Sequence, residues 1–145
     1  MAVNTIIREV KKIHPEEVIL VKIGNFYHCY GKDSCIISYL LDYKLRKTKE
    51  GYYTCGFSEK CIAKVENKLM SKKINYIILD SRNNYDVDTY EDFRNLNTYM
   101  KIYEIAKKNI IIKNQIENIY SNLKNRINSN DIYEKISNIN KILEG

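Results

Sequence analysis

The sequence predicts a mixed α/β (α+β) domain, a sheet flanked by helices, followed by an α-helical hairpin. Three observations carry that prediction. Val18 to Ile23 is a nearly unbroken run of β-branched and aliphatic residues, which reads as a strand buried on both faces. Around it, strand-like segments alternate with amphipathic helical ones, the pattern of a sheet packed against helices. From Asn97 onward the period changes: Ile102, Ile105, Ile112, Ile116, Ile119 and Leu123 recur mostly at three- and four-residue spacing. After the polar stretch Asn128 to Asp131 the pattern restarts as Ile132, Ile136, Ile139 and Leu143, as expected of two antiparallel helices. The 145 residues therefore divide into a domain over 1–82, a linker or loop over 83–96 and a helical hairpin tail over 97–145.

Taken in order, Val3 to Ile13 places Ile6, Ile7, Val10 and Ile13 on one side of a helix that His14-Pro15 stops. After the central strand, Gly24-Asn25 is a turn that tolerates positive φ, and Phe26 to Tyr30 reads as the second strand of a hairpin. Gly31 ends that strand. Asp33 or Ser34 is placed to cap a helix from Cys35 to Leu41, with Ile36, Ile37, Leu40 and Leu41 on its buried side. Tyr43 to Thr48 and Tyr52 to Gly56 flank Lys49-Glu50-Gly51 as a second hairpin. Ser58 caps a helix reaching Lys72, whose core stripe is Ile62, Val65, Leu69 and Met70, and Asn75 to Leu79 is a final buried strand. Asn83 to Asp92 is polar and acidic and reads as loop.

The net charge of +6 is uneven: Lys and Arg outnumber Asp and Glu by 14 to 9 in residues 1–80, but only by 10 to 9 in residues 81–145. A basic excess favours polyanions through counterion release. With five glycines there is no Gly-x-x-x-x-Gly-Lys-Ser/Thr loop, so ATP hydrolysis by this chain is not expected. No apolar run approaches the roughly 20 residues needed to span a bilayer, and Met1 to Ile13 lacks a signal-peptide core, which points to the cytoplasm. Cys29, Cys35, Cys55 and Cys61 are then expected to be reduced thiols. Their spacing is wider than that of paired zinc ligands, so neither metal nor cofactor is expected. Ser34, Ser38 and Ser58 lack a nucleophile elbow, and Asp33, Asp42 and Asp80 form no recognisable metal motif. The chain is not expected to be an enzyme.

The segment Lys22-Ile-Gly-Asn-Phe-Tyr-His-Cys-Tyr-Gly-Lys-Asp33 resembles the mismatch-reading segment of the MutS N-terminal domain (domain I), which has a Gly-Asp-Phe-Tyr-Glu-type core. The resemblance continues through Ile36 to Leu45 and Cys55-Gly-Phe-Ser-Glu59, and fades around Ile77 to Asp80. It implies that Phe26 is a wedge set beside a mispaired or unpaired base. The carboxylate that the family carries two positions on is His28 here, and Asn25 stands where the family usually has an acid. Phe26, Tyr27 and His28 are thus the candidate base readers, and Lys22, Lys32, Lys44, Arg46 and Lys47 the candidate phosphate contacts. The residues also admit a plainer reading, in which Phe26, Tyr27 and Tyr30 are core aromatics of a strand and the lysines protect a sheet edge.

The function the resemblance implies is a stand-alone, non-catalytic module binding mismatched or distorted DNA without an ATPase. Two alternatives stand beside it. One is an accessory protein of a diversity-generating retroelement, binding RNA/DNA or the reverse transcriptase; the other is a protein-interaction adaptor that has lost DNA binding. In either case the tail, which does not resemble the MutS connector domain, is the expected docking surface for a reverse transcriptase, a repair protein or a second copy of the chain.

Overall fold

Val18–Ile23 forms β1, the strand on which a six-stranded sheet is built. Through the Gly24-Asn25 turn it pairs antiparallel with β2 (Phe26–Tyr30), and on its other side it pairs parallel with β5 (Tyr76–Asp80). Strand β4 (Tyr53–Ser58) extends the sheet beyond β2, and β3 (Arg46–Lys47) closes that edge. The opposite edge is β6 (Asp86–Glu91), so the order is β3-β4-β2-β1-β5-β6. The computed structural model describes residues 2–94 and 97–145. Residue 1 of the first domain reading and residues 95–96 of the linker reading lie outside the described residues.

The two faces of the sheet are covered unequally. One packs under α2 (Lys32–Leu41), α3 (Ile62–Ser71) and the first turns of α4 (Thr98–Asn125). Its core joins Val18, Leu20, Tyr27, Cys29, Phe57, Tyr76 and Ile78 of the sheet to Ile36, Ile37, Val65, Leu69 and Tyr99 of the helices. Each such aliphatic side chain contributes about 1.5–3 kcal/mol when fully buried, so this face is the main source of stability. The other face carries α1 (Val3–Ile13), whose Ile7 meets Ile19, Val21, Ile77 and Leu79, with Tyr30 and Tyr85 packed at its margin. That smaller patch lies over β1 and β5.

Asp33, in the first turn of α2, ties the layers together. It is 2% exposed. Its carboxylate accepts from the Ile19 amide at 3.0 Å, from Lys11 Nζ at 3.0 Å and from the Tyr99 hydroxyl at 2.5 Å. One side chain thereby joins α2 to β1, α1 and α4. Burial pushes the Asp33 carboxyl above the usual carboxylate range, while Lys11, the Tyr99 hydroxyl and the Ile19 amide pull it back.

The structure departs from the expected elements in several places. Strand β3 is Arg46–Lys47 alone, where Tyr43 to Thr48 is the expected span, and the Tyr43 carbonyl instead accepts from the Ser38 hydroxyl of α2 at 2.6 Å. Helix α2 begins at Lys32 rather than Cys35, with Gly31 at φ +59° as its N-cap and no side-chain cap, because the Asp33 carboxylate is engaged on the far side. Strand β4 continues to Ser58, so the expected helix over 58–72 opens as a 3-10 turn at Glu59–Cys61 before α3. Ser58 still accepts from the Lys60 amide at 3.4 Å. Asp86–Glu91, polar enough to read as loop, is instead a sheet strand. An edge strand exposed along most of its length has no apolar alternation to betray it.

The tail forms α4 and α5 (Ile132–Glu144) around the polar turn. Compact units divide inside α4, after Asn109. In the second unit, Ile110–Gly145, Ile111, Ile112, Ile116, Ile119 and Ile142 are exposed. No helix among the described residues is long and apolar enough to cross a membrane.

If Asp33 is the joint, removing it leaves buried donors unpaired. Asp33→Ala is expected to lower unfolding stability by about 3 kcal/mol in urea, and Tyr99→Phe by about 1 kcal/mol. An Asp33→Ala chain as stable as wild type would remove the joint from the account. The sign with pH follows from the raised carboxyl. The folded chain holds this proton more tightly than the unfolded one, so the stability Asp33 contributes relative to Asp33→Asn is fullest in acid. It should fall as pH rises through the folded-state value, as read from urea midpoints of both chains across pH.

Candidate nucleic-acid interface

The β1–β2 hairpin is fixed at its tip by groups distant in sequence. Gly24 takes φ +60°, a conformation glycine adopts without strain. The Glu59 amide donates to the Asn25 carbonyl at 2.9 Å, and Arg82 Nη2 donates to the Gly24 carbonyl at 3.2 Å. Phe26 follows directly. It lies between Ile23 of β1 and Ser58 of β4, and its side chain is 54% exposed. A large apolar ring is thus held in solvent by a backbone paired on both sides.

Alternation along β2 divides the three candidate readers. Tyr27 points to the helix-covered face, where it is 7% exposed and stacks on Phe57 with ring centroids 5.5 Å apart and 13° between planes. Burial, and then the charges of Asp88 and Glu66, push its hydroxyl pKa up. Tyr27 is a core residue and does not share the face of Phe26. Lys22 lies opposite Tyr27, with Nζ 3.6 Å from Glu59 and 5.9 Å from the Tyr27 ring, so it too belongs to that side.

His28 and Tyr30 share the Phe26 face. His28 sits opposite Gly56, where an added Cβ would come within 3.3 Å of the imidazole Nδ1, so the missing side chain makes room for the ring. Partial burial lowers the His28 pKa below 6.5. The ring is therefore neutral near pH 7, with one nitrogen to donate and one to accept.

Register places Arg46 on this face as well, opposite Thr54, which is itself opposite Tyr30. Lys47 projects to the other side, with Nζ 5.6 Å from the Tyr53 ring. Lys44 is exposed just before β3. Lys32 is exposed at the start of α2, with Nζ 5.3 Å from the Tyr103 ring. The structure thus brings Phe26, His28 and Arg46 onto one open face and disperses Tyr27, Lys22, Lys32 and Lys47. Two residues of this surface escaped the sequence reading. Arg82 braces the tip from 58 residues away, which no local pattern signals. Tyr30, read only as a strand aromatic, extends the open row.

The sheet is also electrically polar from edge to edge. Lys44, Arg46, Lys47 and Lys49 are exposed around β3, whereas Asp86, Asp88 and Glu91 are exposed on β6. Five strand spacings separate the two edges, about 24 Å, roughly three Debye lengths at physiological salt. A polyanion meeting the basic edge is therefore screened from the acidic one. Among the described residues no group of three or more His, Cys, Asp or Glu is placed to hold a metal ion.

No curated protein matches the chain. A family model described as MutS domain I matches residues 5–122, from α1 through the whole sheet and into α4, well past the half of the chain where the motifs resemble that family. With a match over most of its length, the chain belongs to the MutS domain I family.

Proposed function

We propose that this protein is a non-catalytic module that binds mismatched or otherwise distorted DNA in the cytoplasm without an ATPase of its own. The observation that carries the reading is Phe26, exposed on a doubly paired strand beside a hairpin tip braced by Glu59 and Arg82. Wedging a ring into a base step requires unstacking, which costs a few kcal/mol in sound duplex and less where pairing is already broken. A backbone already fixed by pairing on both sides has little freedom left to lose on insertion, so the difference between sound and damaged sites is preserved. His28 next along the face offers a neutral donor and acceptor. Neither that position nor Asn25 adds a carboxylate to the face, and the nearby Glu59 carboxylate lies 3.6 Å from Lys22 Nζ. Arg46 and Lys44 supply attraction that does not depend on sequence.

The exposed isoleucines of Ile110–Gly145 favour a second role for that unit, docking a protein partner such as a reverse transcriptase, a repair protein or a second copy of the chain. Light scattering of the full chain across concentration separates self-association from capture of another protein.

The test of the main reading is fluorescence anisotropy with a matched duplex and a duplex carrying one unpaired thymidine. The wild type should prefer the distorted duplex by about tenfold, the scale of one stacking contact, and Phe26→Ala should bind both alike. Arg46→Glu should weaken both duplexes together and flatten the salt dependence by a slope of about 1. A Phe26→Ala chain that keeps the preference would overturn the wedge. Protonation of His28 adds a cation to the face, so affinity should rise as pH falls from about 7 to about 5, and His28→Gln should flatten that rise.

A further inference from the structure

Where the open row of β2 ends, a cavity of about 310 Å³ opens between α1 and the β2–α2 turn. Its volume sits at the lower end of ligand pockets, roughly 300–1,000 Å³. The floor is apolar and aromatic: Ile7 from α1, and the rings of Tyr30 and Tyr52, whose centroids are 6.4 Å apart at 56°. Asn4 donates to the Tyr52 hydroxyl at 2.8 Å and steadies that ring from α1. The rim is cationic, formed by Arg8, Lys11 and Lys32.

The three cations are not equivalent. Lys11 is already engaged, donating to the Glu17 carbonyl at 2.7 Å and to Asp33 at 3.0 Å. Arg8 and Lys32 are exposed, and no carboxylate pairs with either among the described residues. The cavity therefore offers two different things at once: a wall of two tilted aromatic rings and, beside it, two cations with no carboxylate partner among the described residues, Arg8 and Lys32, the latter with Nζ 5.3 Å from the Tyr103 ring. An aliphatic ligand would fill the floor and leave the charges unused. A bare inorganic anion would meet the charges and leave the rings wet. A planar aromatic ring carrying a phosphate uses both.

We propose that this cavity is a nucleotide site, with the base against Tyr30 and Tyr52 and the phosphate between Arg8 and Lys32. Tyr30 lies on the same face as Phe26 and His28 at two-residue intervals, so a strand crossing that face would deliver a nucleotide here. The ligand can thus be a free mononucleotide or one unit of a single strand. The site does not depend on the wedge, because a mononucleotide has no base step to enter.

The experiment is calorimetric titration of the full chain with adenosine 5′-monophosphate, adenosine and a ten-nucleotide oligodeoxythymidine. The site predicts that adenosine binds about tenfold more weakly than the monophosphate, and that Arg8→Ala and Tyr52→Ala each weaken the monophosphate by about tenfold. Urea midpoints of Arg8→Ala and Tyr52→Ala that match wild type separate loss of the site from loss of the fold. Should the oligonucleotide alone bind, with the same dependence on Arg8 and Tyr52, the site reads a unit of a strand. The proposal is overturned if neither probe binds, or if Arg8→Ala and Tyr52→Ala leave binding of both unchanged.

Discussion

The buried carboxylate of Asp33 is the constraint on which the arrangement of this domain depends. A charge taken out of water must be matched by donors from whatever surrounds it, and here those donors come from β1, α1 and α4. Satisfying one side chain therefore sets three elements around α2. The first turns of α4 are held to the domain in this way, which explains why the compact units divide within that helix and not before it. The same joint fixes the end of α1 near Lys11, and so the wall of the cavity beside Tyr30.

With the layers set, the functional surface follows from unequal cover. Three helices pack on one face of the sheet, while α1 on the other covers β1 and β5, reaches β2 only at Tyr30, and leaves Phe26 and Arg46 exposed. That asymmetry decides what each residue of the motif does. Tyr27 completes a core with Phe57, whereas one step to either side Phe26 is exposed and His28 is half-buried on the opposite face. Phe26 and Tyr27 are adjacent in sequence and opposite in space.

How much of this was legible in the sequence depends on the range of the interaction concerned. Val18–Ile23 declared itself because a strand buried on both faces must be apolar throughout, and the tail because two long stripes of isoleucine share one period. Strand alternation was equally local, and it rules out Phe26 and Tyr27 as joint readers on one face. Grouping them by family motif rather than by period hid that. Asp33 looked like a helix cap, because its three donors lie in other elements and only folding brings them near. Asp86–Glu91 carried no apolar signature, since an edge strand needs none. Arg82 at Gly24 is a contact between two turns that no spacing predicts.

We expect the open half of the sheet, and not the acidic edge or the tail, to meet nucleic acid. Amide chemical-shift mapping of the isotope-labelled full chain, titrated with a duplex carrying one unpaired thymidine, tests it most directly. The largest shifts should fall on Phe26, His28, Arg46 and Gly56, with β6 and α5 quiet. Shifts concentrated in Asp86–Glu91 or Ile132–Glu144, with the β2 and β4 amides unmoved, would contradict it.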